Sequence, residues 1–189
     1  MHTELKNSSS FAVLKDDGSV VVWGNPKSGG SKQVWYDWDT RFTDSRSLPR
    51  YEPINEELKD VVQIFSNESA YAAIKKDGSV VPWGKGKAGG NGKLYTTKAV
   101  TKYNPTNKQD ELYWERTEID ITTNLSNVKA IASGNDFFIA LKTDGSIAIW
   151  GYLSGTYSYE AWFNQKLNGE FLLTPTTYNQ KYIQAATDI

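Results

Sequence analysis

Hydrophobic and polar residues alternate in short runs along this chain, and the runs recur in pairs. The first pair begins at Phe11 and ends at Trp23-Gly24, with Asp17-Gly18 between the two runs. The same order recurs over 71–84 and over 138–151. Asp-Gly between two β-rich runs is typical of a hairpin, because glycine adopts the positive φ that such turns need. The pattern therefore predicts three β-hairpins.

A further β-rich run precedes each hairpin. Asp60–Ser66 leads into the second and Asn127–Ser133 into the third, whereas residues 1–7 hold this place before the first with a weaker pattern. Lys181–Thr187 repeats the run once more without a hairpin after it. The order of runs predicts repeated units, each an opening strand followed by a hairpin.

Long polar segments separate these units and show poor helical periodicity. Three β-branched runs inside them could each be the last strand of a blade: Leu94–Thr101, Thr117–Thr123 and Phe171–Thr177. The prediction is an all-β fold, a partial β-propeller of three four-stranded blades plus the opening strand of a fourth. The approximate units of this single repeat domain (1–189) are 1–59, 60–126 and 127–180, with 181–189 as an extra strand.

The hairpins resemble a known repeat family. Each contains the order K-x-D-G-S-x-x-x-W-G, which is similar to the A-L-x-x-D-G-x-V-x-x-W-G hairpin of the regulator of chromosome condensation repeat family. That family usually closes a propeller with seven repeats, so the resemblance covers a partial set of three. The short G-Q-L-G turn that follows W-G in the family is replaced here by Lys27–Gly30, Lys87–Gly90 and Leu153–Gly155. The resemblance implies a binding scaffold, and no functional residue transfers with it.

The repeated motif residues are first interpreted structurally. The tryptophans share one repeat position and are predicted to pack between adjacent blades, and the Asp-Gly pairs are predicted to form the hairpin turns. The motif positions are Asp17, Gly18, Trp23 and Gly24 in the first hairpin, Asp77, Gly78, Trp83 and Gly84 in the second, and Asp144, Gly145, Trp150 and Gly151 in the third.

Composition excludes several classes of function. The chain has no cysteine and one histidine, His2, which excludes disulfides, thiolate metal sites and histidine-based triads. A net charge of -1 argues against nucleic-acid binding, which needs a basic excess. We find neither a run of the roughly 18 apolar residues that a membrane span needs nor a signal-peptide pattern. The sequence predicts no cofactor and does not identify a compartment.

Catalysis could rest only on carboxylates. The candidates are Asp37 with Asp39, and a group that comprises Asp110, Glu111, Glu115, Glu118 and Asp120. A carboxylate pair at the right separation can hydrolyse glycosides, but no spacing here is diagnostic of such a pair. The prediction is a non-enzymatic protein, with a carboxylate hydrolase as a distant alternative.

Aromatic residues collect in the segments between hairpins, which are otherwise polar. Tyrosine and tryptophan provide large contact areas at little entropic cost, so binding surfaces are enriched in them. The candidate binding residues are Trp35, Tyr36, Trp38, Tyr103, Tyr113, Trp114, Tyr157, Tyr159 and Trp162. They indicate protein–protein interaction, with a carbohydrate-binding propeller as the alternative because aromatic rings also stack on sugars.

Two further expectations concern charge and assembly. Residues 85–109 contain six lysines and no acid, and we interpret them as a solvated loop balanced by the acidic stretch 110–120, with attraction of an anionic partner as the alternative. The strand predicted over 181–189 has no hairpin of its own, and the first opening strand has Glu4 where the second has Ile64. Unpaired strands associate readily. We therefore expect either a homo-oligomer, in which this strand pairs with the first unit of another copy, or a fragment of a larger propeller.

Overall fold

The structure, a computed structural model, describes residues 3–36, 50–54, 58–152, 163–166 and 170–173. Across these ranges the chain forms strands joined by turns, and the only helical elements there are short 3-10 segments: Pro26–Ser28, Gly86–Ala88 and Thr122–Asn124. The predicted all-β class is confirmed, whereas the number of blades stays a prediction. The strand predicted over 181–189 lies outside the described residues.

The first hairpin and its opening strand form a three-stranded antiparallel sheet. Its strands, in sheet order, are β1 (Thr3–Lys6), β2 (Ser10–Leu14) and β3 (Val20–Gly24). The weak opening strand therefore pairs with β2, with Glu4 opposite Val13. On the other side of β2, Phe11 lies opposite Trp23.

The second sheet has five strands, two of which come from the segment between the first two hairpins. They are β4 (Gln33–Tyr36), β5 (Arg50–Pro53), β6 (Val61–Ser66), β7 (Ala70–Lys75) and β8 (Val80–Lys85). The sheet order is β5-β4-β8-β7-β6. The join between β4 and β8 is parallel and places Val34 opposite Gly84.

The third sheet repeats this arrangement with longer strands. They are β9 (Lys93–Asn104), β10 (Gln109–Asp120), β11 (Val128–Ser133), β12 (Phe137–Lys142), β13 (Ile147–Tyr152), β14 (Phe163–Lys166) and β15 (Glu170–Leu173). The main order is β10-β9-β13-β12-β11, and β15 pairs with both β13 and β14. β9 joins β13 in parallel, with Leu94 opposite Gly151.

The strands of the long segments correct one sequence interpretation. The run Leu94–Thr101 is predicted to be the last strand of a blade within the unit 60–126. In the structure, β9 pairs with β13 and so belongs to the sheet of the next hairpin. β4 joins the following hairpin in the same way. Each of these two sheets therefore combines residues from both sides of the boundaries at 59/60 and 126/127. The physical reason is that β3 and β8 are each followed by a tight 3-10 turn, which carries the chain to the next sheet.

The hydrophobic core lies between neighbouring sheets. One cluster combines Ala12 and Val20 of the first sheet with Tyr71 and Ala73 of the second. The other face of β7, with Ala72 among its residues, packs against the third sheet. Successive strand residues point to opposite faces. Since β7 packs against a neighbouring sheet on each face, both faces are buried, and the strand contains almost no polar residue.

The Asp-Gly turns of the first two hairpins also contact the next unit. Gly18 O accepts a hydrogen bond from Val61 N at 2.9 Å, and Gly78 O accepts one from Val128 N at 2.9 Å. A Cβ added at Gly78 would lie 3.2 Å from the Asn127 backbone, whereas one at Gly145 would meet nothing within 4 Å among the described residues. The first two turns therefore serve as both a local turn and an interface between units.

Candidate interaction site

The β9–β10 pair projects from the third sheet as a two-stranded ribbon. All twelve residues of each strand pair with each other, from Lys93 opposite Asp120 to Asn104 opposite Gln109. In contrast, β9 pairs with β13 only at Leu94 and Tyr95. At roughly 3.3 Å per residue, the part beyond Tyr95 reaches about 30 Å from the sheet.

Side-chain hydrogen bonds order the tip of the ribbon. Asn104 Oδ1 accepts from Thr106 N at 2.9 Å, and Asn107 Oδ1 accepts from Gln109 N at 3.1 Å. The Glu111 carboxylate accepts from Asn104 Nδ2 at 2.9 Å and from Asn107 Nδ2 at 2.6 Å. These bonds hold the connecting turn against the strands, so the tip has a defined shape.

Two large apolar side chains are exposed beside this tip. Tyr103 and Leu112 are each 62% exposed, the highest values among the exposed large hydrophobic residues of the described chain. Tyr103 lies opposite Asp110 and Leu112 lies opposite Thr101. Residues opposite each other share a face, as do residues two apart, so Tyr103 and Leu112 are diagonal neighbours on one face. We call these two residues the ribbon patch.

The charges along the ribbon are balanced across the strands. The register places Lys102 opposite Glu111 and Lys98 opposite Glu115. Lys93 Nζ forms an ion pair with Glu118, and this hydrogen-bonded contact raises the pKa of Lys93. The acidic stretch does lie beside the lysines of β9, but the expectation of a solvated loop is wrong over Lys93–Asn104, because these residues form a strand that pairs with β10.

Two predicted binding residues lie in β4, away from the ribbon. Trp35 differs from the prediction, because only 6% of it is exposed. It packs against Tyr51 of β5 at 4.6 Å between ring centroids, and Lys27 Nζ lies 4.8 Å from its ring centroid. Tyr36 is half-buried and lines an open groove with Glu52 and other residues. Strand pairing, which brings Tyr51 onto Trp35, thus makes that tryptophan part of the packing.

The structure places only some of the other predicted binding residues. Tyr103 lies in the ribbon patch. Tyr113 and Trp114 lie in β10, opposite Val100 and Ala99. The remaining predicted residues fall outside the described part of the chain: Trp38, Tyr157, Tyr159 and Trp162.

Leu112, the second residue of the ribbon patch, is not among the predicted binding residues, which are all aromatic. The available signal was its position at the start of the run Leu112–Trp114, directly after two acids in a polar segment. A search for any large apolar residue in the polar segments would have found it.

The motif tryptophans differ among the three hairpins. Trp83 and Trp150 are fully buried and stack on Tyr71 and Phe138, respectively. Trp23 differs from the prediction of packing between blades, because it is 45% exposed although it stacks on Phe11. The reason is that Gly29 lies against Tyr71 and Trp83, and Gly89 against Phe138 and Trp150, whereas no glycine turn of the described chain lies against Phe11 and Trp23 in this way.

The motif aspartates bind their own turns. Asp17 Oδ1 accepts from Ser19 Oγ at 2.6 Å and from Ser19 N at 2.9 Å, and these bonds lower the pKa of Asp17 to about 2. Asp77 and Asp144 bind Ser79 and Ser146 in the same way, and their pKa values are lowered for the same reason. Gly18, Gly78 and Gly145 follow these aspartates at φ values of +77°, +80° and +81°.

Three acidic residues of β10 have local partners. Glu118 forms the ion pair with Lys93, and Glu111 accepts hydrogen bonds from Asn104 and Asn107. Asp37 and Asp39 lie outside the described residues. Asp120 binds Thr122 N and Oγ1, which lowers its pKa. Within the described ranges, no group of three or more His, Cys, Asp or Glu could hold a metal ion. No helix there is long and apolar enough to cross a membrane.

Comparison with known proteins yields similarity at the level of structure. No protein-family model matches the chain, and no curated protein matches it significantly. It is similar to the crystal structure of human WBSCR16 at 17% identity and a TM-score of 0.49, over 94% of this chain and 40% of that one. It is also similar to yeast RCC1 (Prp20) in complex with Kap60, at 17% identity and a TM-score of 0.32. That match covers 79% of this chain and 43% of the other, so the chain spans less than half of each structure.

Proposed function

We propose that this chain is a non-enzymatic protein-interaction module of an RCC1-like β-propeller, and that it binds a protein partner through the ribbon patch. One observation supports this proposal above the others. Tyr103 and Leu112, the two most exposed large apolar side chains in the described part of the chain, are neighbours on one face of a ribbon that projects from its sheet. Adjacent exposed apolar residues rimmed by polar ones are typical of a protein-binding surface.

The order of the tip favours binding. Ordering a flexible loop on binding reduces affinity, whereas a surface already held in shape avoids that loss. Here Glu111 fixes Asn104 and Asn107 on the opposite side of the ribbon from the patch. The tyrosine can then contribute its ring area, with its hydroxyl available for a hydrogen bond at the rim of the interface.

The alternatives find less support in the described residues. A carbohydrate site would need an accessible aromatic ring in a polar groove; Tyr36 lines such a groove but is half-buried, and Trp35 is buried against Tyr51. A hydrolase would need a carboxylate pair aimed at a substrate, whereas Glu118 pairs with Lys93 and Asp120 binds Thr122. Protein binding therefore fits the described surface best.

The proposal is tested by comparing capture of partners by three versions of the full chain. The unmodified chain, a Tyr103→Ala/Leu112→Ala double variant and a Val62→Ala control are immobilised in equal amounts and exposed to extract from the source cells. Val62 is exposed to 50% on β6 and is therefore a matched apolar control. We expect a protein that the unmodified chain and the control both retain and that the double variant loses.

The melting temperature of the double variant separates loss of binding from loss of fold. Both substituted side chains are mostly exposed, so we expect unfolding free energies within about 0.5 kcal/mol of the unmodified chain. Equal capture by all three versions, with folding intact, would contradict a role for the ribbon patch.

Self-association, the other partner expected from the sequence, stays a prediction. The expected exchange placed the 181–189 strand of one copy on the first unit of another, but β1 already pairs with β2 there. Light scattering on the full chain, with and without residues 181–189, tests it. A fall in mass on deletion would support the exchange, and a monomer in both cases would exclude it.

A further inference from the structure

The ribbon patch lies beside a carboxylate that has no side-chain partner in the described part of the chain. Asp110 is exposed and lies directly opposite Tyr103, so the two side chains share one face of the ribbon. Residues opposite each other have Cβ atoms about 5 Å apart. Among the described residues, no side-chain hydrogen bond or ion pair involves Asp110, whereas Glu111, Glu118 and Asp120 each have one.

The other charges near the tip of the ribbon do not neutralise Asp110. Lys102 lies opposite Glu111, and both belong to the other face, because neighbouring residues of a strand point to opposite faces. Lys108 is exposed in the connecting turn and forms no ion pair with Asp110. The next charged position of β10 on the patch face is Arg116, which is about 20 Å away along the strand. The patch face therefore presents one negative charge at the tip.

The spacing of the three exposed side chains fits two side chains of an extended segment. Asp110 and Leu112 are two residues apart on β10, which is about 7 Å, and Tyr103 lies across from Asp110. Alternate residues of an extended peptide have the same spacing and point to the same side. One such residue therefore reaches Leu112 while the other reaches Asp110 and Tyr103 together.

A carboxylate beside an exposed aromatic ring suits a guanidinium group. Arginine donates to both carboxylate oxygens through its planar fork, and the same group stacks on aromatic rings. Lysine provides a compact charge without the fork or the flat face. The negative charge of Asp110 also disfavours acidic segments, since like charges across an interface repel. The chemistry of the tip therefore favours an arginine next to an apolar residue.

We propose that the tip of the ribbon binds an extended segment of a partner protein in which an arginine and an apolar residue occupy alternate positions. The arginine pairs with Asp110 and stacks on Tyr103, and the apolar side chain packs on Leu112. This inference rests on the function proposed for the ribbon patch and adds the chemistry of the partner to it.

The experiment selects short peptides on the full chain. A display library of random peptides is enriched on the immobilised chain and depleted on the Tyr103→Ala/Leu112→Ala variant. We expect the enriched peptides to share an arginine two positions from an apolar residue. The most enriched peptide is then synthesised with a fluorescent label, and fluorescence polarisation measures its affinity for each version of the full chain.

Two variants of equal charge isolate the role of Asp110. Asp110→Asn should weaken binding about fivefold, because it removes an exposed ion pair. Glu68→Gln is the matched control, since it removes the same charge from an exposed side chain in the loop between β6 and β7. We expect it to leave the affinity unchanged. Asp110→Arg, combined with an aspartate in place of the arginine of the peptide, should restore binding.

The ring of Tyr103 is tested by the preference for arginine over lysine. A peptide with lysine in place of its arginine should bind the unmodified chain several-fold more weakly. Tyr103→Leu keeps an apolar side chain but removes the ring, so the two peptides should bind this variant with similar affinities. Melting temperatures of all variants should match that of the unmodified chain, because the substituted side chains are exposed.

Several results would overturn this inference. They are the absence of enriched peptides, enriched peptides without arginine, and equal affinities of the Asp110→Asn and Glu68→Gln variants. A dimer of the full chain that Asp110→Asn dissociates would make a second copy the occupant and would also overturn it. None of these results contradicts the proposed function if the Tyr103→Ala/Leu112→Ala variant still loses its partner in the capture experiment. If capture is unchanged as well, both proposals fail.

Discussion

The first and second hairpins share nearly the same sequence, yet their environments differ. Both contain Asp-Gly-Ser-Val-Val-x-Trp-Gly, and both stack an aromatic ring on the tryptophan. Trp83 is fully buried, whereas Trp23 is nearly half exposed. The hairpin alone therefore forms the ring pair, and the preceding unit buries it.

This difference shows what the repeated motif encodes. Each hairpin supplies a ring pair and a strand edge. The W-G-x4-G-G segments at 23–30 and 83–90 place Gly29 and Gly89 on the ring pair of the hairpin that follows. The first two units are joined this way, as are the second and third. The same substitution should therefore change the free energy of unfolding much more where a neighbouring unit covers the ring pair than where the ring pair is exposed.

The largest expected difference is between Trp83→Ala and Trp23→Ala. Removing a fully buried tryptophan should destabilise the chain by about 3–5 kcal/mol. Removing Trp23, which loses mainly its contact with Phe11, should cost about 1 kcal/mol. Urea denaturation followed by far-ultraviolet circular dichroism measures both. Equal losses at the two positions would contradict the assignment of burial to the neighbouring unit.

A smaller difference is expected between two glycines at positive φ. Gly29→Ala adds a methyl group 2.6 Å from the Tyr71 ring in a backbone conformation unfavourable to alanine, which should destabilise by about 2–4 kcal/mol. Gly145→Ala has the same unfavourable φ but no atom of the described residues within 4 Å of the added methyl group, so about 1 kcal/mol is expected.

The same urea titrations measure the two glycine variants. If Gly145→Ala destabilised the chain as much as Gly29→Ala, the positive φ, rather than the contact with the rings, would account for most of the loss of stability. The covering role of Gly29 would then lose its energetic support.

Local features of the fold could be predicted from the sequence. The hairpins depend on residues within one turn of each other, and Asp17-Gly18 already indicates the turn geometry. The partner of β4 could not be predicted in this way, because its parallel pairing with β8 joins residues about fifty positions apart. Nothing near Val34 indicates that it lies opposite Gly84.

The candidate site could also be predicted only in part, because the exposure of an aromatic ring depends on strand partners that are distant in the sequence. Tyr103 is exposed because the ribbon beyond Tyr95 has no third strand beside it in the described chain. Trp35 has a similarly polar neighbourhood in sequence, but pairing of β4 with β5 places Tyr51 against it. Composition identifies both as aromatics in a polar segment, and only the strand partners distinguish an exposed ring from a buried one.

The smallest expected effect concerns the pH dependence that the three hairpin turns share. Folding lowers the pKa of Asp17 to about 2 from 3.8, and it lowers the pKa values of Asp77 and Asp144 in the same direction. Because the folded protein holds these carboxylates ionised, their contribution is fully present above the unfolded pKa and is lost as pH falls through the folded pKa. Stability should therefore decline between about pH 4 and pH 2. Replacing all three aspartates with asparagine should flatten that part of the stability curve while leaving Trp83 buried, and urea titrations at several pH values measure it. A slope that is unchanged in the triple variant would assign the acid sensitivity to other carboxylates.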